Sequence, residues 1–449
     1  MAKNKVTLRF IFSLLIIALI IFFIVRTFCH HKPYAIPKCD KVPVHNVILV
    51  GICTLRADHF NCYGYPNNTT PNINDFCADA VLFKETISQA PSTAPSFAAM
   101  FTSLLPLHNG LSTDNETIIS PDCVTIAELL SHNGYHTVSF NNGGQVTNDF
   151  GFDRGFDIFT KLKGKTILRA VEWLKSNKDK RFFLFIHSIE PHSPYMPSKE
   201  DAELFDKLYK GILAEDIVVL DKTKLKEDLL NASYADLQRI VNRYDAEIYS
   251  VDRQFGILID YLKKEGLYEN SMIIFAGDHG EEFGEHGYFA RHAHTLYDEL
   301  LKVPLIIKFP SSEYGSTVVT SQVRLIDILP TVLDVLEMPL PEYLEGISLL
   351  ELLNGNPNRP LFAVSQKDCK ARLKNSTIRT KYWKLNQGRL FDLEKDPLEK
   401  NDVSEKFPII KRELQKKLDE ILRQRKIAES KKVKLKKETV EQLKSLGYL

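Results

Sequence analysis

Apolar positions in this chain fall into two kinds of run. Residues 44–52 read VHNVILVGI, a short and nearly continuous apolar stretch, and runs of the same type recur at 182–186, 272–276 and 303–307. Continuous hydrophobicity over so short a length, without alternation, marks strands buried on both faces of a parallel sheet. Between these runs, residues 124–132, 244–264 and 325–336 carry apolar side chains at helical spacing. Strands alternating with helices predict an α/β fold, a sheet with helices on both faces. In such sheets ligands bind beyond the carboxyl ends of the strands. Chemistry is therefore expected in the residues that follow each run.

The first run is followed by Cys53-Thr54-Leu55-Arg56-Ala57-Asp58 and the second by His187-Ser188-Ile189-Glu190-Pro191-His192. The third leads into Gly277-Asp278-His279-Gly280-Glu281-Glu282, with His292 and His294 close behind. One Asp-His pair after one strand is ordinarily a satisfied turn. Ionisable clusters after three strands predict an active site. Residues 90–102, APSTAPSFAAMFT, belong with them: Pro95 suits the first turn of a helix, and Ser92 or Thr93 the cap before it. A Thr there is most often a cap and nothing more. The free N–H groups of a helix N-terminus also suit a tetrahedral oxyanion.

The N-terminus bears on where this chemistry takes place. Lys3, Lys5 and Arg9 precede an apolar run at 10–25 broken only by Ser13, shorter than the ~20 residues of a full span but extendable through Cys29. No small-residue cleavage site follows. Residues 1–32 are therefore expected to be a cytoplasmic stub and an uncleaved transmembrane anchor, with the rest of the chain extracytoplasmic. A cleaved signal peptide is the competing reading, and it gives the same compartment. Pro33, Pro37 and Pro43 make 33–45 a stiff linker. Lys and Arg total 58 against 57 for Asp and Glu, a net charge of +1, which argues against nucleic acid as a partner because its binders show a basic excess. The charge is uneven: residues 411–449 hold 13 basic and 6 acidic residues, +7, leaving −6 elsewhere. Leu414, Leu418, Ile421 and Leu422 of this tail share one helical stripe, and a solvated surface helix is expected in preference to a polyanion-binding element. The 7 cysteines are scattered and form no Cys-x-x-Cys pair, which disfavours a disulfide scaffold or a zinc ribbon.

These motifs resemble a sulfatase-family member of the alkaline phosphatase superfamily. The landmarks are TLRADHFNCYGY at 54–65, TPNI at 70–73, the segment 90–102, GFDRGFD at 151–157 and HSIEPHSPY at 187–195. DHGEEFGEHG at 278–287, HTLYDELLKVP at 294–304 and LFDLEKDP at 390–397 complete the series. The resemblance implies a mixed sheet sandwiched by helices over 46–359 and a smaller C-terminal sheet subdomain over 360–410, ahead of the basic tail at 411–449. It also implies a divalent metal ion held by Asp278 and His279, with Thr93 beside it.

The chain departs from the family pattern at three places. Sulfatases oxidise a Cys or Ser in a Cys/Ser-x-Pro-x-Arg motif to formylglycine, and here the corresponding residues are Thr93, Ala94, Pro95, Ser96 and Phe97. Oxidation of Thr93 would give a ketone, so its hydroxyl is instead expected to attack directly, as in the phosphotransferase branches. Where the family carries an acidic residue after the first strand, this chain has Cys53. A soft sulfur suits zinc better than Ca²⁺, Mg²⁺ or Mn²⁺, and the other reading of Cys53 is a small buried hydrophobe. Residues 140–146, FNNGGQV, lack the cation that many sulfatases place there.

The expectation is a metal-dependent hydrolase or phosphotransferase acting on a sulfate or phosphate ester. Thr93 is the nucleophile, and Asp278, His279, Cys53 and Thr93 hold one ion: zinc, or calcium, magnesium or manganese if Cys53 is no ligand. His192, His292 and His294 bind the anion and protonate the leaving oxygen. The alternative is a catalytically inactive binding protein on the same fold.

Overall fold

The structure is a computed structural model and describes residues 39, 45–113, 115–206, 233–355, 362–367, 375–425, 431–446 and 448. The anchor expected over 1–32, and all of the 33–45 linker except 39 and 45, lie outside the described residues. Among the described residues no helix is long and apolar enough to cross a membrane.

Along the chain the strands are β1 (Asn46–Ile52), β2 (Val81–Ile87), β3 (His136–Asn141), β4 (Ile158–Lys161), β5 (Phe182–Ser188) and β6 (Ser271–Gly277). They continue as the short pair β7 (Glu282–Phe283) and β8 (Phe289–Arg291), then β9 (Lys302–Lys308) and β10 (Thr317–Arg324). Eight of these form one sheet in the order β10-β2-β9-β6-β1-β5-β3-β4. The pairs β6-β1, β1-β5, β5-β3 and β3-β4 are parallel, whereas β9 runs antiparallel to both β2 and β6. The run at 303–307, read from sequence as a parallel strand, is thus the reversed member of a mixed sheet. A continuous apolar run records burial on both faces and is blind to direction.

Alternation explains the two cores. Val47 and Leu49 of β1 face one hydrophobic cluster, and Ile48, Val50 and Ile52 face the other. Helices α1 (Thr93–Thr102), α2 (Ile126–His132) and α5 (Ile328–Val335) contribute to the first. The second is closed by α3 (Thr166–Leu174) and α4 (Tyr234–Lys264), whose Ile240, Tyr244, Ile248, Val251, Phe255 and Leu262 lie at helical spacing. The helix α4 begins ahead of the expected residue 244 because Ser233 and Asp236 cap each other's backbone reciprocally.

A second sheet of four antiparallel strands follows: β11 (Ala363–Gln366), β12 (Ser376–Arg379), β13 (Trp383–Asn386) and β14 (Arg389–Asp392). The basic tail forms two surface helices where one was expected. Its first helix, α6 (Pro408–Arg423), buries Leu414, Leu418 and Leu422 against Ile378, Leu385 and Leu390 of the small sheet, at about 1.5–3 kcal/mol for each side chain removed from water. Its second, α7 (Lys437–Ser445), inserts Leu443 into the main core. The stripe that suggested one helix belongs to the first of two, each with its own docking face.

Candidate active site

Because β6, β1 and β5 are neighbours, the residues after three of the apolar runs emerge side by side. Cys53 and Thr54 leave β1, Asp278 and His279 leave β6, and His192 follows β5. The β2 strand delivers the chain to α1, whose N-cap is Ser92 and whose first residue is Thr93. The Ser92 side chain makes no cap bond. The amide oxygen of Gln145 takes that role, accepting from Ala94 N at 2.9 Å and Ser92 Oγ at 3.2 Å. Thr93 is therefore not a cap, and its hydroxyl is free to face Cys53.

Cys53 Sγ lies 3.1 Å from Thr93 Oγ1, and Thr93 Oγ1 lies 3.1 Å from His279 Nε2. Cys53, Asp278 and His279 each offer a ligand atom, all within 4.8 Å of one another, and all three side chains are buried. Asp278 Oδ1 accepts from Thr54 N at 3.0 Å and His279 N at 2.6 Å. To aim that first N–H, Thr54 adopts φ 51°, a left-handed conformation costly for a β-branched residue. Such local strain is stored where the surroundings over-determine it.

Beyond this group, His292 stands 4.6 Å from His279 and 4.9 Å from His192, ring centre to ring centre. Its Nδ1 meets Glu281 Oε1 at 3.0 Å, and Glu281 Oε2 accepts from the Tyr195 hydroxyl at 3.1 Å. His294 is not brought into the group. Its exposed ring stacks on Tyr288 at 5.2 Å. Ala293, at φ 67°, breaks the extended backbone that would have kept His292 and His294 on one face.

The structure supplies one group that the sequence reading missed. The Tyr448 hydroxyl lies 3.0 Å from Thr93 Oγ1 and 3.0 Å from His192 Nε2. It comes from the segment LKSLGYL at the end of the chain, and nothing in linear spacing relates it to Thr93. Gln145 was likewise passed over, since FNNGGQV is conspicuous for the cation it lacks.

Proton accounting shows what the site still needs. His192 Nδ1 faces the Ser193 carbonyl and His279 Nδ1 faces the Gly280 carbonyl, so both Nδ1 atoms carry hydrogens and both Nε2 atoms are acceptors. Tyr448 must then donate to His192, Thr93 to Tyr448, and Cys53 to Thr93. That chain leaves the His279 Nε2 lone pair over, and Asp278 Oδ2 is buried with no hydrogen-bond partner. An unpartnered carboxyl oxygen and an imidazole lone pair, 3.6 Å apart beside a thiol, fit a divalent cation, whose tetrahedral ligands at about 2.0–2.3 Å stand roughly 3.3–3.8 Å apart. Burial pushes the Asp278 carboxyl up to about 7 despite its N–H donors. The Cys53 thiol rises well above its ordinary value through burial and then Asp278. Burial, and then His292, takes His279 well below its ordinary value and His192 down to about 3. A cation reverses this logic, ionising carboxyl and thiol and using neutral imidazole.

Comparison with known proteins bears on the family and the fold. The family model described as Sulfatase matches residues 45–338, and one described as N-sulphoglucosamine sulphohydrolase, C-terminal, matches 284–426. The chain is 27% identical over 426 residues to arylsulfatase K of Mus musculus, covering 80% of this chain and 76% of that protein. It is 24% identical over 491 residues to an N-acetylglucosamine-6-O-sulfatase of Bacteroides thetaiotaomicron, covering 86% and 87%. A solved structure in complex with its substrate D-glucosamine-2-N,6-O-disulfate superposes with a TM-score of 0.73 at 20% identity, covering 87% of this chain and 100% of that one. A phosphonate monoester hydrolase of Agrobacterium radiobacter superposes at 0.66 with 20% identity, covering 84% and 95%. At these identities the two structures establish the fold.

Proposed function

The chain belongs to the sulfatase family, and from that premise we propose that it is a metal-dependent hydrolase of a sulfate or phosphate ester with Thr93 as nucleophile. The observation that carries this reading is Thr93 Oγ1 at 3.1 Å from both Cys53 Sγ and His279 Nε2, on the first residue of α1. Asp278, His279 and Cys53 would hold the ion, with the Thr93 hydroxyl adjoining it. When bound, the ion supplies Lewis acidity and lowers the pKa of the attacking hydroxyl.

The chain's own residues do the rest. Thr93 gives up its hydroxyl proton and forms a bond from Oγ1 to the central sulfur or phosphorus, while the bond to the ester oxygen breaks. His192 Nε2, a neutral acceptor at rest, takes the Thr93 proton and returns it to that oxygen, and His292, oriented by Glu281, lies beside it. Water then releases the sulfate or phosphate from Thr93. The sulfatase relatives favour a sulfate ester. Thr93 and Phe97, standing where the formylglycine motif would be, favour direct attack and a phosphate ester.

Turnover of 4-nitrophenyl sulfate against 4-nitrophenyl phosphate, with Thr93→Ala as control, tests the assignment. Turnover of either that Thr93→Ala abolishes supports it, and the preferred ester settles the class. A protein that holds no divalent ion and turns over neither would instead be the inactive binding protein. For localisation the proposal keeps the uncleaved anchor at 1–32 and an extracytoplasmic catalytic body.

A further inference from the structure

The nucleophile, the proposed metal ligands and His192 are out of reach of solvent. Thr93 is 2% exposed, Cys53 1%, His192 5%, and Asp278 and His279 0%. An ester hydrolase needs a path to its nucleophile, so whatever closes the site must move. The Tyr448 side chain is part of that closure. Its ring lies against His192 and His292 at 5.2 and 5.3 Å between ring centres, and its own surface is only partly buried.

The hydroxyl does more than cover. Reacting atoms in a near-attack arrangement stand about 3–3.5 Å apart. A substrate's central atom or one of its peripheral oxygens must therefore sit about where Tyr448 Oη sits now, 3.0 Å from Thr93 Oγ1. Tyr448 also occupies the His192 Nε2 lone pair, the group proposed to serve the leaving oxygen. A tetrahedral anion and the Tyr448 hydroxyl exclude each other.

The segment that carries Tyr448 is docked by contacts made elsewhere. Val433 N donates to the Glu116 carbonyl at 2.8 Å, and Lys432 bridges to Thr117. Asp149 accepts from Lys436 N at 3.0 Å and Thr439 Oγ1 at 2.6 Å, and Gln442 Nε2 donates to the Asn142 carbonyl at 2.7 Å. Leu443 is the anchor, fully buried in the main core. Tyr448 itself is held outside the site by its N–H on the Leu443 carbonyl at 2.9 Å and by Asn115 Nδ2 on its own carbonyl at 3.4 Å, so its side chain can withdraw at the cost of few bonds while Leu443 stays docked.

Resting on the assignment of this site as an ester hydrolase centre, we propose that the C-terminal segment is a built-in cover. The Tyr448 hydroxyl occupies the place of the ester's tetrahedral group, and substrate reaches Thr93 only when the end of the segment releases. The activity of the full chain is therefore restrained in cis.

Cys53 is a reporter that does not depend on turnover, because it lies beneath Tyr448 beside Thr93. The test compares the full chain, Tyr448→Ala and a chain ending at Leu446. Methyl methanethiosulfonate labelling is followed by mass spectrometry with EDTA present, so that no ion shields the thiol. Both variants should label Cys53 at least tenfold faster, with the buried Cys123 unchanged. With divalent ion restored, both should turn over 4-nitrophenyl sulfate or phosphate at least tenfold faster than the full chain. Unchanged Cys53 labelling overturns the cover whatever the activity. Faster labelling with turnover below that of the full chain makes Tyr448 part of the chemistry and overturns the inhibitory role. Faster labelling with no turnover in any variant upholds the cover and sinks the hydrolase assignment instead. If the shortened chain also exposes Cys123, its fold has loosened and Tyr448→Ala decides alone.

Discussion

The ring of Phe97 fills the space that the missing side chain of Gly51 leaves on β1. A Cβ at Gly51 would come within 2.5 Å of Phe97 Cε1 and 2.8 Å of Cζ. This pairing brings the α1 helix close to the sheet two residues before Cys53, and it sets the height at which Thr93 meets the thiol. Phe97 also packs edge-on to Phe185 and His187. Phe97, which the resemblance sets against the cation of the family motif, is thus apolar core.

Restoring the motif residue should therefore fail. Phe97→Arg would bury an unpaired charge among Phe185, Phe101 and a His187 whose nitrogens have no partner and whose pKa burial lowers to about 3. We expect a loss of at least about 3 kcal/mol in chemical denaturation. Gly51→Ala should cost about 1–3 kcal/mol by overpacking the same contact. A stable Phe97→Arg chain would show that the pocket still accommodates the cation.

The candidate site was legible where its residues follow a buried strand. Cys53, Asp278 and His279 stand immediately after β1 and β6, which continuous hydrophobicity marks and which pair in the sheet. Thr93 was legible through Pro95, although its place inside the helix, with Gln145 at the cap, was not. The direction of β9 escaped because burial carries no polarity. Tyr448 escaped because 355 positions separate it from Thr93, and no local period reports a contact of that kind. Ala293 shows a subtler limit: one left-handed residue separated two histidines that share a motif.

The small sheet is clamped to the main body by buried charge. Lys384 Nζ meets Asp298 Oδ1 at 2.7 Å and Glu399 Oε2 at 2.9 Å, and Arg379 spans Asp298 and Glu85. Replacing Lys384 by Met leaves two buried carboxyls facing each other and should cost about 3–5 kcal/mol. Glu399 adds a pH signature. Burial raises its carboxyl to about 7 in spite of Lys384, against about 4.3 in an unfolded chain. The folded state therefore binds the extra proton between those values, and stability falls as pH rises through that window, by about 1–3 kcal/mol. Glu399→Gln should flatten that part of the denaturation profile. A profile unchanged by the substitution would remove Glu399 from the account.

Residues 10–25 are uncharged, and an uncleaved apolar anchor resists salt where a surface-bound protein does not. The full chain should remain with membranes through a high-salt wash and leave them in detergent. A mature N-terminus between residues 27 and 35, read by mass spectrometry, would replace the anchor with a cleaved leader.

Cys53 carries the remaining prediction, because it is the member of the proposed ligand set that departs from the family pattern. The Cys53 sulfur, His279 Nε2 and the orphaned Asp278 Oδ2 form a donor set of mixed softness. A thiolate favours zinc and gives little to Ca²⁺ or Mg²⁺, which prefer oxygen. Purified protein should accordingly carry close to one zinc per chain by elemental analysis. Cys53→Asp exchanges soft sulfur for hard oxygen at the same strand end, so it should weaken zinc retention at least tenfold and raise affinity for Ca²⁺ or Mg²⁺. Thermal stabilisation by each ion, read with both proteins, follows the exchange without requiring turnover. The Asp variant needs its ion more than the wild type does. Without one it sets two carboxyls side by side in a buried site where Asp278 already titrates near 7, and it should unfold earlier than the wild type in chelator. A wild type that binds no ion, joined to an Asp variant that also binds none and melts no earlier in chelator, would remove the metal centre and leave a folded pocket filled by Tyr448.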